Sequence, residues 1–378
     1  MVILMAMMNK TKIWAPCYVI TPKVARALMD IESAKTIVER TALPPVVEVE
    51  LRRAARVRST HFSTRIEGNR LTLKEAQEVI EHKKTSFHGR ERDTGEVRNY
   101  WNALLKVEEW AAKRMEFTEG LIQRLHAIVE KGKRSKPTPY RSGQNVIKDS
   151  ATGAIVYMPP EAKDVYKLMA EMAAWVRKVE RNGMPSPIIA ALVHYQFVTI
   201  HPYYDGNGRT ARLLATFLLQ RDGYGLRGFF SMEEHHAKDL EVYYASLAVH
   251  KHHNYYEGRA QTDLTGWLEY FTILLADVFA RAKDEAAKYA KEGIPLEPEP
   301  LRRLDRRARI VLGLFARKDT IITQEVAAAL GLSGRMVRNL ITAWVKDGWL
   351  VVANASNRAR AYRLSAVYRK YTGNNSKK

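Results

Sequence analysis

The amino-acid sequence predicts a mainly α-helical protein with one short β-hairpin and a small basic domain at its C-terminal end. Apolar residues recur at helical spacing through most segments, as in Leu121, Leu125, Ile128 and Val129, or Leu213, Leu214, Phe217 and Leu218. Gln144 to Met158 departs from that spacing: β-branched residues flank Asp149-Ser-Ala-Thr-Gly153, a turn between two short strands that ends at Pro159-Pro160. Charge is the third sign. Of a formal net charge of +20, the stretch from Leu301 to Lys378 carries +13, with 17 Lys+Arg against four Asp+Glu.

A length of 378 residues predicts two or three domains, and 46% hydrophobic with 27% charged residues excludes general disorder. Lys291 to Pro300, with Gly293 and three prolines, cannot continue a helix and reads as a linker over 291–300. The polar run Glu81 to Glu96 is a weaker break. It sets an N-terminal helical region, 1–95, apart from a core over 96–290 and a tail domain over 301–378. The lone Cys17 cannot form an intramolecular disulfide, and the expected setting is a reducing cytoplasm. The opening MVILMAMMNK has no basic region before its apolar run and no cleavage site after it, so no signal peptide is expected. Its closely spaced methionines leave the true start open. Asn182 to Tyr204 is free of Asp, Glu, Lys and Arg, but His194, Gln196, His201 and three prolines interrupt it; a buried helix and loop is expected, and no membrane partner. His235, His236, His250, His252 and His253 lack regular carboxylate or cysteine partners and are expected on solvated helix surface.

The chemistry concentrates in His201-Pro-Tyr-Tyr-Asp-Gly-Asn-Gly-Arg-Thr-Ala-Arg212, a loop that feeds the helical pattern from Leu213. Gly206 and Gly208 let the backbone approach an anion closely, so amides can converge on it at the helix N-terminus. Arg209 and Arg212 lie one turn apart and can offer two guanidinium forks to phosphate oxygens. Cations at a helix start oppose its dipole, and a bound polyphosphate would rationalise them. Asp205 supplies a hard carboxylate suited to Mg²⁺, and His201 is placed to accept a proton from an attacking hydroxyl. The Walker Gly-Lys-Ser/Thr pattern is absent, which argues against an ordinary P-loop.

This window closely resembles the Fic family signature, His-Pro-Phe-x-Asp/Glu-Gly-Asn-Gly-Arg-x-x-Arg, departing from it only at Tyr203, expected to anchor the loop in the core. The resemblance extends upstream to Tyr140-Arg141, Gln144, Asn145, Val146 and Ile147, before Tyr157-Met-Pro-Pro160, and covers residues 35 to 290. It implies a helical core with a hairpin flap that registers an extended target segment by main-chain pairing. It also implies transfer of AMP from MgATP to a Ser, Thr or Tyr hydroxyl of a target protein or of the chain itself. His201 would be the base, Asp205 the Mg²⁺ ligand, and Gly206, Asn207, Gly208, Arg209, Thr210, Ala211 and Arg212 the nucleotide site. Tyr243-Tyr244 is similar to an aromatic pair that contacts the base in relatives, with core packing the alternative for either ring.

Upstream, Ser63 and Glu67 are four apart on one face of a run that reads as helical from Val47, with Gly68 or Asn69 to end it. In the Fic context this matches the inhibitory motif Ser/Thr-x-x-x-Glu-Gly/Asn, on the N-terminal side of the core. The resemblance implies that Glu67 pairs with Arg212 and displaces phosphate.

In the tail, Thr323 can cap Gln324 to Leu330 and Ser333 can cap Gly334 to Asp347, which is helix-turn-helix spacing. Val337, Leu340, Ile341 and Trp344 would face inward and leave Arg335, Arg338, Asn339 and Thr342 on another face. Trp349 to Ala353 and Ala361 to Leu364 would form a wing tipped by Asn354 to Arg360. The tail resembles a winged helix-turn-helix domain, and its basic excess suits DNA, with protein contacts the alternative. The expected function is an autoinhibited protein adenylyltransferase. Two alternatives stand beside it: a DNA-binding regulator whose Fic module senses nucleotide, and an enzyme that removes AMP using Glu67. Oligomeric state, a homodimer included, stays open.

Overall fold

A computed structural model describes residues 14–81, 83–132, 136–148, 152–291, 299–316, 318–356 and 360–369. The expectations for the N-terminal apolar run, the hairpin turn at 149–151, most of the linker and the centre of the wing tip lie outside these residues. The chain divides into two compact units, one comprising the chain up to Arg40 with Arg52–Glu285, the other Thr41–Leu51 with the chain from Ala286.

The larger unit is helical. Along the chain run α1 (Pro22–Arg40), α2 (Pro45–Ile66, whose residues to Leu51 group with the smaller unit), α3 (Leu73–Ile80), α4 (Glu91–Ala112) and α5 (Glu119–Lys131). A hairpin of β1 (Ile147–Lys148) and β2 (Ile155–Tyr157) precedes α6 (Ala162–Arg181), α7 (Ser186–Ile200) and α8 (Asn207–Arg221). Two short helices, α9 (Met232–Lys238) and α10 (Leu240–Leu247), lead to α11 (Thr265–Lys291).

Helix α7 is apolar on every side, and all its residues from Ser186 to Phe197 are buried, as such a helix requires. It packs on α8, which in turn packs on α4. The α4 stripe Val97, Tyr100, Leu104, Val107 and Ala111 follows the three-to-four spacing of a buried face. Thr118 caps α5 by accepting a hydrogen bond from the Leu121 amide at 3.2 Å. Among the described residues no helix is long and apolar enough to cross a membrane.

The boundary expected near residue 95 does not separate two bodies. Residue 95 lies inside α4, and Leu71, Ala76, Val79, Phe87 and Val97 form one apolar cluster across it. The polar run is a connection between helices that share a core. The hairpin strands are also shorter than the sequence suggests. Ile147 faces Tyr157 and Lys148 faces Ile155 across a bulge, while Gln144 and Asn145 turn to loop carbonyls instead of extending the ladder.

The smaller unit holds α12 (Glu299–Arg302), α13 (Arg306–Leu312), β3 (Ile321–Ile322), α14 (Thr323–Leu330), α15 (Gly334–Lys346), β4 (Leu350–Asn354), β5 (Ala361–Leu364) and α16 (Ala366–Arg369). Its sheet runs β3-β5-β4, antiparallel throughout, and β3 is a strand the sequence reading did not anticipate. Val311, Val326, Val337, Ile341, Trp344 and Trp349 fill its core, leaving Arg335, Arg338, Asn339 and Thr342 exposed on α15. Ser333 caps α15, but Thr323 is already the first residue of α14. The start of α14 is closed by Glu325, which accepts the Ile322 amide at 2.9 Å.

Candidate active site

The junction between α7 and α8 builds the site. Helix α7 ends at Ile200 and is capped by His201, which adopts left-handed backbone angles (φ 51°, ψ 58°) that a non-glycine residue takes only when its surroundings hold it there. Beyond it Tyr203 is buried, its ring stacked on His126 at 3.5 Å, and His126 Nε2 donates to the Asp205 carbonyl at 2.9 Å. Asn207 closes the loop: its Oδ1 accepts the Tyr203 amide at 3.0 Å and its Nδ2 donates to the Tyr203 carbonyl at 2.8 Å. Gly206, at φ 74°, caps α8, and a methyl group there would collide with Glu130.

Helix α8 presents the cradle. Its first intrahelical bond joins the Thr210 amide to the Gly206 carbonyl at 3.0 Å, leaving the amides of Asn207, Gly208 and Arg209 without an intrahelical acceptor. Two expectations, Thr210 and Ala211, are corrected here, and that for Asn207 narrows to its backbone. The Asn207 side chain is spent on Tyr203 and offers only its amide to an anion. Thr210 and Ala211 are wholly buried, and the Thr210 amide is committed to the helix.

His201 Nδ1 faces the Val198 carbonyl at 3.3 Å, an arrangement that assigns the proton to Nδ1 and leaves Nε2 as the acceptor. Burial lowers its pKa to about 4. The Val198 carbonyl, Glu67 and Asp205 oppose the shift, and Arg141 adds to it. The imidazole is therefore neutral at pH 7, with Nε2 able to take up a proton.

The two arginines of the loop diverge. Arg209 turns into an acidic recess, where it meets Glu130 at 3.0 Å, Asp205 at 3.1 Å and Glu96 at 3.7 Å. Burial pushes the Glu130 carboxyl up, against the pull of Arg209. The other Asp205 oxygen meets Arg92 at 3.0 Å. Arg212, only 3% exposed, turns the opposite way, toward α2. Its Nε donates to Ser63 Oγ at 2.8 Å, and its Nη2 donates to the Ser63 carbonyl at 2.8 Å and to Glu67 Oε1 at 2.9 Å. Burial works against its charge, yet the Glu67 carboxylate and the Tyr243 and Tyr100 hydroxyls override that cost and hold its pKa up. A methyl group on Gly208 would collide with Glu67 Oε1, so the carboxylate rests on the bare α-carbon at the start of α8.

Tyr243 and Tyr244 part company. Tyr244 is 48% exposed beside the carbonyl of Ile66, whereas Tyr243 is 1% exposed. Tyr243 cannot reach a ligand's base: its hydroxyl is bonded to His194 Nε2 at 3.0 Å, in a cluster with His236, Trp267 and Tyr270. Of the histidines expected on solvated helix surface, only His235 lies partly exposed on a helix, α9. His236 is buried and bonded to the Tyr270 hydroxyl at 2.9 Å, while His250, His252 and His253 lie in the loop after α10. Gln144 Nε2 donates to the Pro159 carbonyl at 2.9 Å and joins the two sides of the hairpin stem, while Asn145 Nδ2 donates to the Tyr203 carbonyl at 3.0 Å and ties the stem to the loop, beside Val146 and Ile147. Sequence reasoning missed His126, Glu130, Tyr100 and Glu233, which buttress the site. Tyr100 donates to Glu233 at 3.0 Å behind Arg212. His126 and Tyr100 sit within apolar helical stripes, where a polar residue reads as one more inward position.

Fold and site together define a helical domain with uncommitted amides at a loop-to-helix junction, a neutral histidine at its mouth and a carboxylate seated in it. Residues 116–219 match the model of the Fic/DOC family, and the chain carries a Fic/DOC-family domain. A Fic family protein of Desulfovibrio desulfuricans shares 26% identity over 93% of this chain and 99% of its own, with a TM-score of 0.59. A Fic-domain-containing signalling protein of Bacteroides thetaiotaomicron shares the fold at 24% identity over 71% of this chain and 97% of its own, with a TM-score of 0.58. The protein adenylyltransferase Fic of Drosophila grimshawi is 32% identical over 192 residues, which are 49% of this chain and 38% of that protein. The chain thus spans about two fifths of the length of the curated relatives it matches.

Ser63→Ala removes one of the acceptors of a buried guanidinium and should destabilise the larger unit by about 1–3 kcal/mol, the cost of leaving a buried donor unpaired. Urea denaturation followed by tryptophan fluorescence measures it. A loss below about 0.5 kcal/mol would show that the Arg212 Nε–H finds another partner.

Proposed function

We propose that this chain transfers AMP from ATP to a hydroxyl of a protein side chain, and that Glu67 restrains it. The observation that carries this reading is the Glu67 carboxylate on Arg212 and Gly208, an anion already seated in the anion site. The adenylyltransferase names of the matched relatives support the reaction.

In this reading the free amides of α8 and the Arg212 guanidinium hold the phosphates, and Tyr244 borders the base. The target hydroxyl attacks the α-phosphorus as His201 Nε2 takes its proton, and the bond to pyrophosphate breaks in line. Placement and charge neutralisation carry most of the rate, since the protein forms no covalent intermediate. Mg²⁺ fits only in company with phosphate. Among the described residues no three His, Cys, Asp or Glu side chains gather into a metal cage, and Asp205 offers one half-exposed carboxylate. Asp205 would hold the ion, whose charge, when bound, offsets that of the phosphates. Glu67 occupies the place of a phosphate, so ATP reaches the competent pose only in the fraction of molecules where Glu67 has left. The lone Cys17 supports a cytoplasmic setting for this activity.

A second reading concerns the tail. The exposed Arg335, Arg338, Asn339 and Thr342 share one face of α15 opposite the buried Val337, Ile341 and Trp344, an arrangement that supports duplex DNA as a partner.

AMP incorporation from ATP labelled at the α-phosphate tests the transferase. Glu67→Gly should raise incorporation by about 10- to 100-fold through the population of competent molecules, and His201→Ala in that background should lower it by about 10²–10⁴-fold. ATP binding without incorporation would favour a nucleotide sensor, and loss of bound AMP in the Glu67 protein alone would favour removal chemistry.

The depressed pKa of His201 sets a pH profile. The base is lost only as pH falls through about 4, so kcat/KM should stay flat from pH 7 to about 5 and decline below. A half-maximal point near 6.5, the ordinary histidine value, would show a ring that is not buried during turnover.

For the tail, full-length protein should bind duplex DNA with a steep log–log salt slope. Arg335→Ala with Arg338→Ala should make it shallower by about 0.9 for each phosphate no longer neutralised. Fluorescence anisotropy across a salt series measures it, and an unchanged slope would turn the reading toward a protein partner.

A further inference from the structure

Arg141 lies between α5 and the hairpin, 2% exposed, and a buried guanidinium is costly unless its donors are satisfied. Among the described residues no carboxylate pairs with it; it is held by carbonyls instead. Its Nε donates to the His201 carbonyl at 3.0 Å, its Nη1 to the Gly143 carbonyl at 3.0 Å and its Nη2 to the Pro160 carbonyl, while its own amide donates to the Pro202 carbonyl at 2.9 Å. Gly143 is where the hairpin stem begins, and Pro160 is where it ends. His201 is the residue in left-handed conformation that carries the base.

One planar fork thus ties three chain segments at fixed angles, which a point charge such as lysine cannot do. Shorter ties run alongside it. The Gly143 amide donates to the Tyr204 hydroxyl at 2.8 Å, and the Tyr157 hydroxyl donates to the Thr199 carbonyl at 2.8 Å. These tether the stem to α7 and the loop but leave the His201 carbonyl untouched. Arg141 alone among these ties reaches both ends of the hairpin and the base-bearing residue.

We propose that Arg141 is a positioning residue, which sets the hairpin stem against His201 so that a hydroxyl carried along the hairpin arrives at Nε2. The proposal rests on the transferase reading above and makes Arg141 part of target presentation, not of nucleotide binding. Misplacement of the stem by about 1 Å is enough to cost about 100-fold in rate.

The test uses full-length Glu67→Gly protein as parent, with Arg141→Met and Arg141→Lys added, and the His201→Ala chain as the acceptor of labelled AMP. Hydrogen exchange of amides 144–148 and 152–158 reports the stem without any need for activity. Arg141→Met should leave the MgATP dissociation constant within about threefold by calorimetry, speed exchange in the stem but not in α7 or α8, and lower AMP transfer by about 100-fold. Arg141→Lys, which keeps the charge and covers the case of a methionine variant that fails to fold, should fall between. Stem exchange equal to the parent's in both variants overturns the proposal, as does a loss of MgATP affinity that matches the loss of transfer. A parent that incorporates no AMP overturns the transferase reading, and the exchange measurement still decides whether Arg141 holds the stem.

Discussion

A guanidinium sealed inside a protein has to be given acceptors, and the larger unit is organised around that demand at Arg212. Its position on α8 follows from the packing of α7 and α4 around that helix, which leaves the arginine no route to solvent. The acceptors come from the end of α2, with Ser63 in its last turn and Glu67 just beyond it, so this helix end is fixed to the start of α8 by charge and hydrogen bonds. Tyr100, backed by Glu233, and Tyr243, backed by His194, close the remaining sides. The loop to α8, its cap and its neighbour helix share one electrostatic constraint.

Arg141 meets a similar demand by other means. Where Arg212 faces a carboxylate, Arg141 is wrapped in neutral carbonyls, so its charge is left uncancelled close to His201 and favours the neutral ring. Arg209, with three carboxylates around it, is the most heavily compensated of the three cations. Three buried arginines thus serve three environments, and of the three it is Arg141 that adds to the effect of burial in keeping the His201 ring neutral.

Much of this was legible in the sequence, for physical reasons. Helical content follows from apolar spacing, and the loop at 201–212 announces itself because glycines, a histidine, an acid and two arginines rarely crowd into twelve residues without a site to build. The pairing of Ser63 and Glu67 with Arg212 came through resemblance to a known motif, since two residues four apart on a helix say nothing about what lies opposite. What stayed hidden is what depends on rotamers and distant partners. The Asn207 side chain looks free for phosphate until it is seen bonded at both ends to Tyr203, and nothing local distinguishes Tyr243 from Tyr244, although a rotation of about 100° along α10 buries one and exposes the other. The boundary near residue 95 failed because a polar connection does not reveal whether the helices on either side share a core.

Gly208 has a consequence for how this molecule can change over generations. Its bare α-carbon is the surface on which the Glu67 carboxylate rests, and it is also the floor of the cradle formed by the α8 amides. A side chain there would evict the resident carboxylate and obstruct the cradle in the same stroke, so no substitution at this position separates release from damage. On α2 the two effects come apart, because Glu67 contributes to the cradle only by filling it. Under the restraint proposed above, heritable loosening has an open route through the end of α2 and a closed one through α8, and drift in the two helices is expected to proceed at different rates.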